Sequence, residues 1–586
     1  MLDKKSLKSI ILSFFGTIAL TIIYKNSVFA KIPSIIFSFI AFLCLLLSYR
    51  SKNKFLFEKK ELILSFVLSC FYSLVFTLGD ELDVLNDIAW TYKTLFRIVL
   101  GYFSFYGPIL VSFGLIKRRK KSISNIVIDK KLFLKSYLII LGFGFLTFLA
   151  LYPGVYGYDA GFQILETTSN KVRLSTHFSL LHSEFLGVFV NIGLNIFKSA
   201  EIGLALYSLI QLSILTYAAT RVTIFALKES NSKVVYILSL IFYSVFPLYT
   251  IMTISTCQDS LFAGIFALLI INLIEQNETP SSKKKVFKIF FLSFLFCIIR
   301  NNGFYAVVFL LFFQIFNKNY RVLKILPIIL CVICYKVYTG PFYDLINIYK
   351  ESPVREIMSV PSQQLARVYN YNPFIINQSD FNTYKKYYTN LNDFIQYTDR
   401  QSISDPIKSL LNDEMVRKDI SGYINFWARM GIKDPKNYFE AFLLNSLGTW
   451  YPNKEFNDER MYHPYIEFKM LDAKKWNKDY VVIKRKSKFK LYNTGLSLLV
   501  DYVGWKYIPF VSFVFEAGTY FLVYIYTLGF VIIKKKRKYL IPLLFVDALY
   551  LTIILAPVSL FRYSFPIVML LPLFVSILLS NNKKIN

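Results

Sequence analysis

The chain has 586 residues, of which 55% are hydrophobic, 18% aromatic and only 18% charged, and its formal net charge is +30. Soluble domains carry about 25% charged residues, whereas here the apolar residues are concentrated in runs of membrane-spanning length. The basic residues lie at the ends of these runs, so the composition excludes a secreted disulfide scaffold, a disordered chain and a cytosolic nucleic-acid binder.

Apolar runs that can cross a bilayer occur about fourteen times, which predicts an all-α polytopic membrane protein of about 14 helices. In chain order they cover residues 9–24, 33–48, 62–78, 96–115, 132–152, 204–227, 234–254, 261–274, 287–299, 304–316, 323–338, 510–533, 540–556 and 565–579. The runs divide the chain into four predicted regions. These are an N-terminal four-helix extension (1–131), a transmembrane core (132–338), a mostly helical loop module (339–506) and C-terminal transmembrane helices (507–586).

Clusters of Lys and Arg between the runs, such as 117–121, 283–285 and 534–538, predict cytoplasmic loops. On this count both termini are cytoplasmic, and the loop at 153–203 and the loop module are extracytoplasmic. The apolar segment 177–197 would invert every later basic loop if it crossed. We therefore interpret it as interfacial or re-entrant on the outer side, a conformation tolerated where protein covers it or water fills a cavity.

A tight loop at 152–159 presents one carboxylate, Asp159, among tyrosines and at the start of a predicted helix. Apolar and aromatic neighbours disfavour the charged form of a carboxylate, which favours a role as general base. The alternative is a structural N-terminal helix cap.

Two of the three histidines, His177 and His182, lie close to Glu184 in the next segment. Their spacing is too long for an i,i+4 zinc pair, so hydrogen bonding to a substrate or a simple interfacial helix is favoured. Further on, Gln258 and Asp259 open an apolar helix, where the carboxylate could bind a sugar hydroxyl or a metal ion, or cap the helix.

Arg300 and Asn301 interrupt an apolar hairpin, and Arg562 lies just before the last apolar run. An arginine at the membrane edge indicates a phosphate or carboxylate partner, with simple snorkelling as the alternative. Glu516 is the one acidic residue that we assign to the membrane interior. The six cysteines are interpreted as small buried hydrophobes.

Together these motifs resemble the GT-C superfamily of integral-membrane glycosyltransferases. The resemblance is carried by the Tyr-Pro-Gly loop that ends in Asp159, the histidine segment, Gln258-Asp259, the turn at 300–303 and the long late external loop. It is strongest to an uncharacterised bacterial branch, similar to polyprenyl-phosphate-sugar-dependent mannosyltransferase-like enzymes, and it covers residues 132–579. Within the loop module it includes Gln363, Gln364, Arg367 and, in the motif at 448–452, Trp450. The histidine segment lacks the family's prolines, and no second acidic residue stands beside Asp159.

The resemblance implies an inverting transfer of sugar from a polyprenyl-phosphate carrier to an extracytoplasmic cell-envelope glycan or lipid, at the bacterial plasma membrane. Asp159 would be the catalytic base, and a Mg²⁺ or Mn²⁺ ion is a candidate cofactor with Asp159 and Asp259 as ligands. The remaining implied substrate-binding residues divide into phosphate ligands, hydroxyl ligands and a lid. They are Arg300, Arg367 and Arg562; His177, His182, Glu184, Gln258, Asp259 and Asn301; and Gln363, Gln364 and Trp450.

Three other interpretations of the sequence remain open. A polysaccharide polymerase or ligase would use the arginines without a catalytic carboxylate. A lipid-linked glycan transporter (flippase) would carry its charges near the bilayer midplane and often has repeated halves. A membrane-anchored scaffold would explain the helices but not the clustering of scarce polar residues on one side.

Overall fold

The computed structural model describes residues 4–23, 34–118, 126–169, 172–278, 282–316, 321–399, 402–452, 468–501, 504–508 and 511–580. Over these ranges the secondary structure is helical, with isolated bridges and no β-strand. Seven of the described helices are long and apolar enough to cross a membrane, and three shorter ones are also apolar. The protein is therefore an all-α polytopic membrane protein, as predicted, while the number of crossings stays a prediction. The chain ends, at 1–3 and 581–586, lie outside the described residues.

The N-terminal extension consists of four helices: α1 (Lys4–Ile23), α2 (Ser34–Ser51), α3 (Lys59–Leu85) and α4 (Tyr92–Arg118). An ion-pair cluster lies near the α3–α4 connection. Arg97 pairs with Asp80 and with Glu81, the latter at 3.1 Å between Nη1 and Oε1. Its positive charge is thus neutralised locally, which explains why this arginine is tolerated there.

The transmembrane core contains ten helices, most of which contribute to the main apolar cluster together with the C-terminal helices. They are α5 (Lys130–Ala150), α6 (Ala160–Thr168), α7 (Leu180–Asn195), α8 (Ala200–Ser230), α9 (Lys233–Val245), α10 (Pro247–Met252), α11 (Gln258–Glu278), α12 (Lys283–Ile299), α13 (Asn301–Ile315) and α14 (Arg321–Val337). Helix α11 is the central one, because 83% of its apolar window is buried inside the protein. Of the six cysteines, Cys257, Cys297 and Cys331 are buried inside the protein, Cys70 and Cys334 are partly buried, and Cys44 lies exposed on the protein surface.

The loop module has its own apolar cluster, built from residues between Val354 and Tyr438. Its helices are short: α15 (Tyr343–Leu345), α16 (Val354–Ile357), α17 (Ser359–Tyr371), α18 (Gln378–Tyr387), α19 (Gln396–Asp399), α20 (Asp405–Lys408), α21 (Asp413–Lys418), α22 (Ile420–Lys433), α23 (Pro435–Trp450), α24 (Ala473–Trp476) and α25 (Lys490–Leu496). The module is attached to the extension through Tyr451, since a Cβ at Gly79 of α3 would lie 2.2 Å from the Tyr451 ring.

The C-terminal helices are α26 (Val511–Val514), α27 (Ala517–Ile533), α28 (Arg537–Ile554), α29 (Phe561–Val568) and α30 (Leu571–Leu579). The assignment of Glu516 to the membrane interior stays a prediction: the residue stands immediately before α27, where its side chain is buried and makes no capping hydrogen bond. The acidic residue near the middle of an apolar helix is Asp547, in α28.

Helix ends with many basic residues meet at one end of the bundle, here called the basic end. Lys538 at the start of α28 pairs with Glu278 at the end of α11 (2.6 Å), and Lys228 near the end of α8 pairs with the same carboxylate (3.2 Å). At a second point of the basic end, Lys117 and Lys534 both pair with Glu61. Asp259, at the start of α11, is therefore about 30 Å from this end, given the rise of an α-helix. We call the opposite end the site end.

Helix α7 contains most of the segment that the sequence analysis interprets as interfacial. Near its start His182 contacts Tyr207 of α8, and near its end Gly193 lies against Gly203, closer to the start of α8. Because α8 runs toward the basic end, α7 runs away from that end. It accompanies the outer part of α8 instead of crossing beside its whole length.

Candidate functional site

Four charged side chains from separate parts of the chain meet at the site end, and we call them the charged cluster: Asp159, Asp259, Arg300 and Arg562. Arg562 Nη1 lies 2.8 Å from Asp159 Oδ2, and its Nε lies 3.7 Å from Asp259 Oδ2. Arg300 Nη1 pairs with Asp259 Oδ1. The two carboxylates and two guanidinium groups therefore balance one another in charge, and they form a continuous chain of ion pairs.

Asp159 reaches the cluster because its loop is fastened to the loop that precedes α11. Val155 N donates to Ile254 O at 3.0 Å, Thr256 N donates to Val155 O at 3.0 Å, and Gly157 N donates to the Thr256 hydroxyl at 2.8 Å. Gly154 has φ +126, and a Cβ there would lie 2.1 Å from Ser208 Oγ, so the approach to α8 requires glycine.

The Asp159 side chain does not act as the N-terminal cap of a helix, which was the structural alternative for this residue. Asp159 stands immediately before α6, but its side chain makes no capping hydrogen bond. Its carboxylate is instead directed to Arg562. Asp259 lies in the first turn of α11, where it accepts a hydrogen bond from the Cys257 thiol at 3.0 Å in addition to its arginine contacts.

The two carboxylates differ in access. The side chain of Asp159 is 24% exposed, whereas that of Asp259 is 2% exposed. The arginines are partly exposed, and both guanidinium groups lie over the Tyr563 ring, at 4.3 Å for Arg300 and 5.4 Å for Arg562. A ligand can therefore approach Asp159 and the arginines, while Asp259 holds the arginines from behind.

His182 belongs to a buried hydrogen-bond chain that extends toward the loop before α11. Its Nε2 lies 2.8 Å from the Tyr207 hydroxyl, which donates to Gln211 Oε1 at 2.6 Å. The amide nitrogen of Gln211 then donates to Thr253 O (3.1 Å) and Ser255 O (2.6 Å). Since the tyrosine proton goes to the glutamine, Nε2 of His182 is the donor to tyrosine and Nδ1 is an acceptor.

Burial lowers the pKa of His182 to about 4, against the opposing effect of the negative charge of Asp159. The imidazole is therefore neutral at physiological pH. Its Nδ1 is buried and has no hydrogen-bond partner within the described ranges. The His182 side chain is enclosed by protein, at 1% exposure, so its contact with a substrate hydroxyl stays a prediction.

The other predicted residues of this region surround the cluster. Asn301 follows Arg300 and its side-chain amide approaches Thr176 O at 3.5 Å. His177 is exposed and its Nδ1 lies 3.2 Å from Glu351 Oε2. Glu184 lies half-buried on α7, and Gln258 is the first residue of α11.

The predicted loop-module residues are not brought to the charged cluster. Arg367 is fully buried and pairs with Glu440 (2.6 Å), and it also donates to Asn86 O (2.7 Å) and Asn437 Oδ1 (3.0 Å). Gln363 and Gln364 lie inside the module on α17, and Gln364 bonds Trp427 and the Tyr438 carbonyl. Trp450 packs in the apolar cluster shared with the N-terminal helices. These side chains fill interior positions. Their contacts indicate a structural role, and they do not support Arg367 as a phosphate ligand or the other three residues as a lid.

Three residues near the site were missed by sequence reasoning. They are Tyr563, Cys257 and Glu166, and only Glu166 had a usable signal, as a carboxylate two turns after Asp159 on the same predicted helix. Glu166 accepts a hydrogen bond from Ser175 N at 3.0 Å. Burial raises its pKa to about 7.

The donor set does not fit a divalent metal ion. Both carboxylates of the cluster are already bridged by Arg562, and within the described ranges no group of three His, Cys, Asp or Glu side chains could hold a metal. A cation placed between the two aspartates would have to displace a guanidinium group.

The fold and the cluster define the class: a polytopic helical membrane protein with a charge-balanced polar site at one end of its apolar helices. Residues 167–585 match the model described as "Family of unknown function (DUF6020)", and the chain belongs to this family. The match includes Asp259, Arg300 and Arg562, and it begins eight residues after Asp159. No curated protein and no solved structure matches the chain.

Proposed function

We propose that the protein is a GT-C-like membrane glycosyltransferase that moves a sugar from a polyprenyl-phosphate carrier to a cell-envelope glycan or lipid. In this proposal the bundle has about 14 crossings, both termini lie in the cytoplasm of a bacterial cell, and the site end faces outward across the plasma membrane. The observation that carries the proposal is the ion pair between the accessible Asp159 and Arg562, backed by Arg300 and the buried Asp259.

The arginines suit the phosphate of the donor. Guanidinium groups bind phosphate oxygens through paired hydrogen bonds, and Arg300 and Arg562 share one aromatic face and one end of the helix bundle. A phosphate that binds Arg562 competes with the Asp159 carboxylate for the N–H groups of this guanidinium. Donor binding thus releases the Asp159 carboxylate, which becomes free to accept a proton.

The transfer step follows from these positions. The acceptor hydroxyl gives its proton to Asp159 as its oxygen bonds to the anomeric carbon, and the bond from that carbon to the phosphate oxygen breaks with inversion. The negative charge that develops on the leaving phosphate is stabilised by Arg300 and Arg562. His182, through Nδ1, accepts a hydrogen bond from a sugar or acceptor hydroxyl, and Asp259 keeps the arginines in position.

The test is transfer of radiolabelled sugar from a panel of polyprenyl-phosphate sugars to cell-envelope material, in membranes that contain the wild type or Asp159→Asn. Loss of the general base is expected to reduce transfer by about 10²- to 10⁴-fold, with unchanged expression and insertion. Asp344→Asn is the matched control, because that carboxylate makes an exposed ion pair with Lys350.

The outcomes separate the alternatives. Transfer that survives Asp159→Asn but is lost in Arg562→Gln would favour a polymerase or ligase that uses arginine without a carboxylate base. Absence of transfer from every donor, with wild-type protein correctly inserted, would refute the proposal and favour a transporter. Transfer by wild type that is insensitive to both substitutions would remove the charged cluster from the mechanism.

A further inference from the structure

A basic segment of the loop module lies at the site end of the bundle, opposite the basic end. Residues 484–490 include Lys484, Arg485, Lys486, Lys488 and Lys490. The backbone N–H of Lys486 donates to Tyr152 O at 2.7 Å, and that of Lys488 donates to Leu149 O at 2.8 Å, in the last turn of α5. Basic residues are enriched in cytoplasmic loops of membrane proteins, so a dense run at the opposite end needs a local reason.

The exposure of this segment alternates along the chain. Ile483 is buried and Arg485 is half-buried, with its guanidinium bonded to Phe468 O, whereas Lys484, Lys486 and Lys488 are exposed. With Lys490 these exposed residues form what we call the basic strip. Only Lys486 makes an ion pair within the described ranges, with Glu201 at 2.8 Å. The Lys488 ammonium lies over the Tyr152 ring, at 5.4 Å from its centroid, and together with those of Lys484 and Lys490 it adds positive charge to this surface.

Exposed apolar side chains lie directly beside the basic strip. Helix α25 follows it and contacts α5, with the Tyr492 hydroxyl 3.4 Å from Thr147 Oγ1. On α25 Leu491 is 81% exposed and Leu496 packs inward, and in the helical turn that follows α25 Leu498 is 59% exposed. Helix α5 is itself a candidate membrane span, with only 28% of its apolar window buried inside the protein. The strip and α25 thus lie at the level where an apolar, lipid-facing helix ends.

We propose that the basic strip and α25 form an interfacial site for anionic phospholipid headgroups of the adjacent leaflet. The lysines contact the phosphates, and the exposed leucines enter the acyl region beneath them. This combination of cationic and apolar side chains in one short segment is how peripheral helices bind anionic membranes. Anchoring the segment to the bilayer also holds the loop at 152–159, to which it is hydrogen-bonded. The inference does not depend on the glycosyltransferase proposal.

The experiment uses the full chain reconstituted in phosphatidylcholine bilayers with a trace of photoactivatable phosphatidylglycerol or, in parallel, photoactivatable phosphatidylcholine. Adducts are quantified by mass spectrometry on the tryptic peptide 491–506. Phosphatidylglycerol should be favoured, and the double variant Lys484→Gln/Lys488→Gln should reduce that preference by about fivefold for each lysine removed. Lys385→Gln/Lys418→Gln removes the same charge from α18 and α21 and should leave the preference unchanged.

Two further arms identify the source of the phosphate. Millimolar inorganic phosphate should not displace the phosphatidylglycerol adducts, since the leucines add an apolar contribution that a free ion lacks. Equal labelling by the two phospholipids, or an undiminished preference in the Lys484/Lys488 variant, would overturn the proposal. It would also be overturned if a photoactivatable polyprenyl phosphate labelled this peptide while phosphatidylglycerol did not, because the strip would then belong to a substrate site.

Discussion

Substitution of Glu440 by glutamine should destabilise the contact between the loop module and the N-terminal extension. Glu440 and Arg367 are both 0% exposed, and their ion pair measures 2.6 Å. The second carboxylate oxygen of Glu440 accepts from Ile88 N at 3.2 Å and Trp90 Nε1 at 3.1 Å, both in the connection between α3 and α4. The substitution leaves the Arg367 guanidinium buried with its closest negative charge removed.

The expected cost is about 3–5 kcal/mol, the usual range when one partner of a buried ion pair is removed. Asp87, at 3.7 Å from Arg367, should keep the value toward the lower limit. In a domain about the size of the loop module, 1 kcal/mol corresponds to roughly 2–4 °C in melting temperature. We therefore expect the protein in detergent to melt about 6–12 °C lower.

The assay is thermal unfolding of the purified protein in one detergent, with size-exclusion chromatography as the measure of how much folded protein remains at each temperature. Glu414→Gln is the control, because Glu414 and Lys418 form an exposed pair at 2.5 Å whose loss should leave the melting temperature nearly unchanged. The double substitution Arg367→Met/Glu440→Leu should recover much of the loss, since it removes both buried charges. Identical melting of Glu440→Gln and Glu414→Gln would refute the reasoning.

Two further predictions follow from the site loops. Burial raises the pKa of Glu166 from 4.5 to about 7, so its contribution to stability is complete below pH ~4.5 and is lost as the pH rises through about 7. Hydrogen exchange in α6 should therefore accelerate from pH 6 to 8 by more than the intrinsic effect of pH on amide exchange. Glu166→Gln should remove this additional acceleration. Gly154→Ala should destabilise the protein by about 1–3 kcal/mol, because Gly154 has a positive φ and the new Cβ would contact Ser208. Gly142→Ala is the control: a Cβ there has no neighbour within 4 Å, so this variant should be neutral or slightly stabilising. Equal melting temperatures of the two variants would contradict this prediction.

Local sequence patterns were sufficient to predict a helical protein. The apolar runs predict helical segments, and the basic residues at their ends predict that these ends lie on one side. In the structure Lys228 and Lys538 do lie together, since both pair with Glu278. Such patterns depend on hydropathy and on period, which can be read over a few turns. They did not single out Asp547, which lies inside the apolar helix α28.

The site was predictable only in part. Asp159, Asp259, Arg300 and Arg562 stand out in the sequence because charged residues are scarce at the edges of apolar runs. Arg367 carried the same chemical signal, yet it is buried against Glu440 in a contact between two regions. An arginine that binds a ligand and one that joins two parts of a fold have the same side chain, so composition cannot distinguish them.

The sequence by itself determined that this is a helical membrane protein and which scarce polar residues deserve attention, because both properties depend on local composition. Tertiary structure alone decided that Asp159 pairs with Arg562, more than 400 positions away in the chain, and that Tyr563 supports both arginines. It also separated the accessible Asp159 from the buried Asp259. Such pairings depend on how distant helix ends pack together, and packing is a property of the whole bundle.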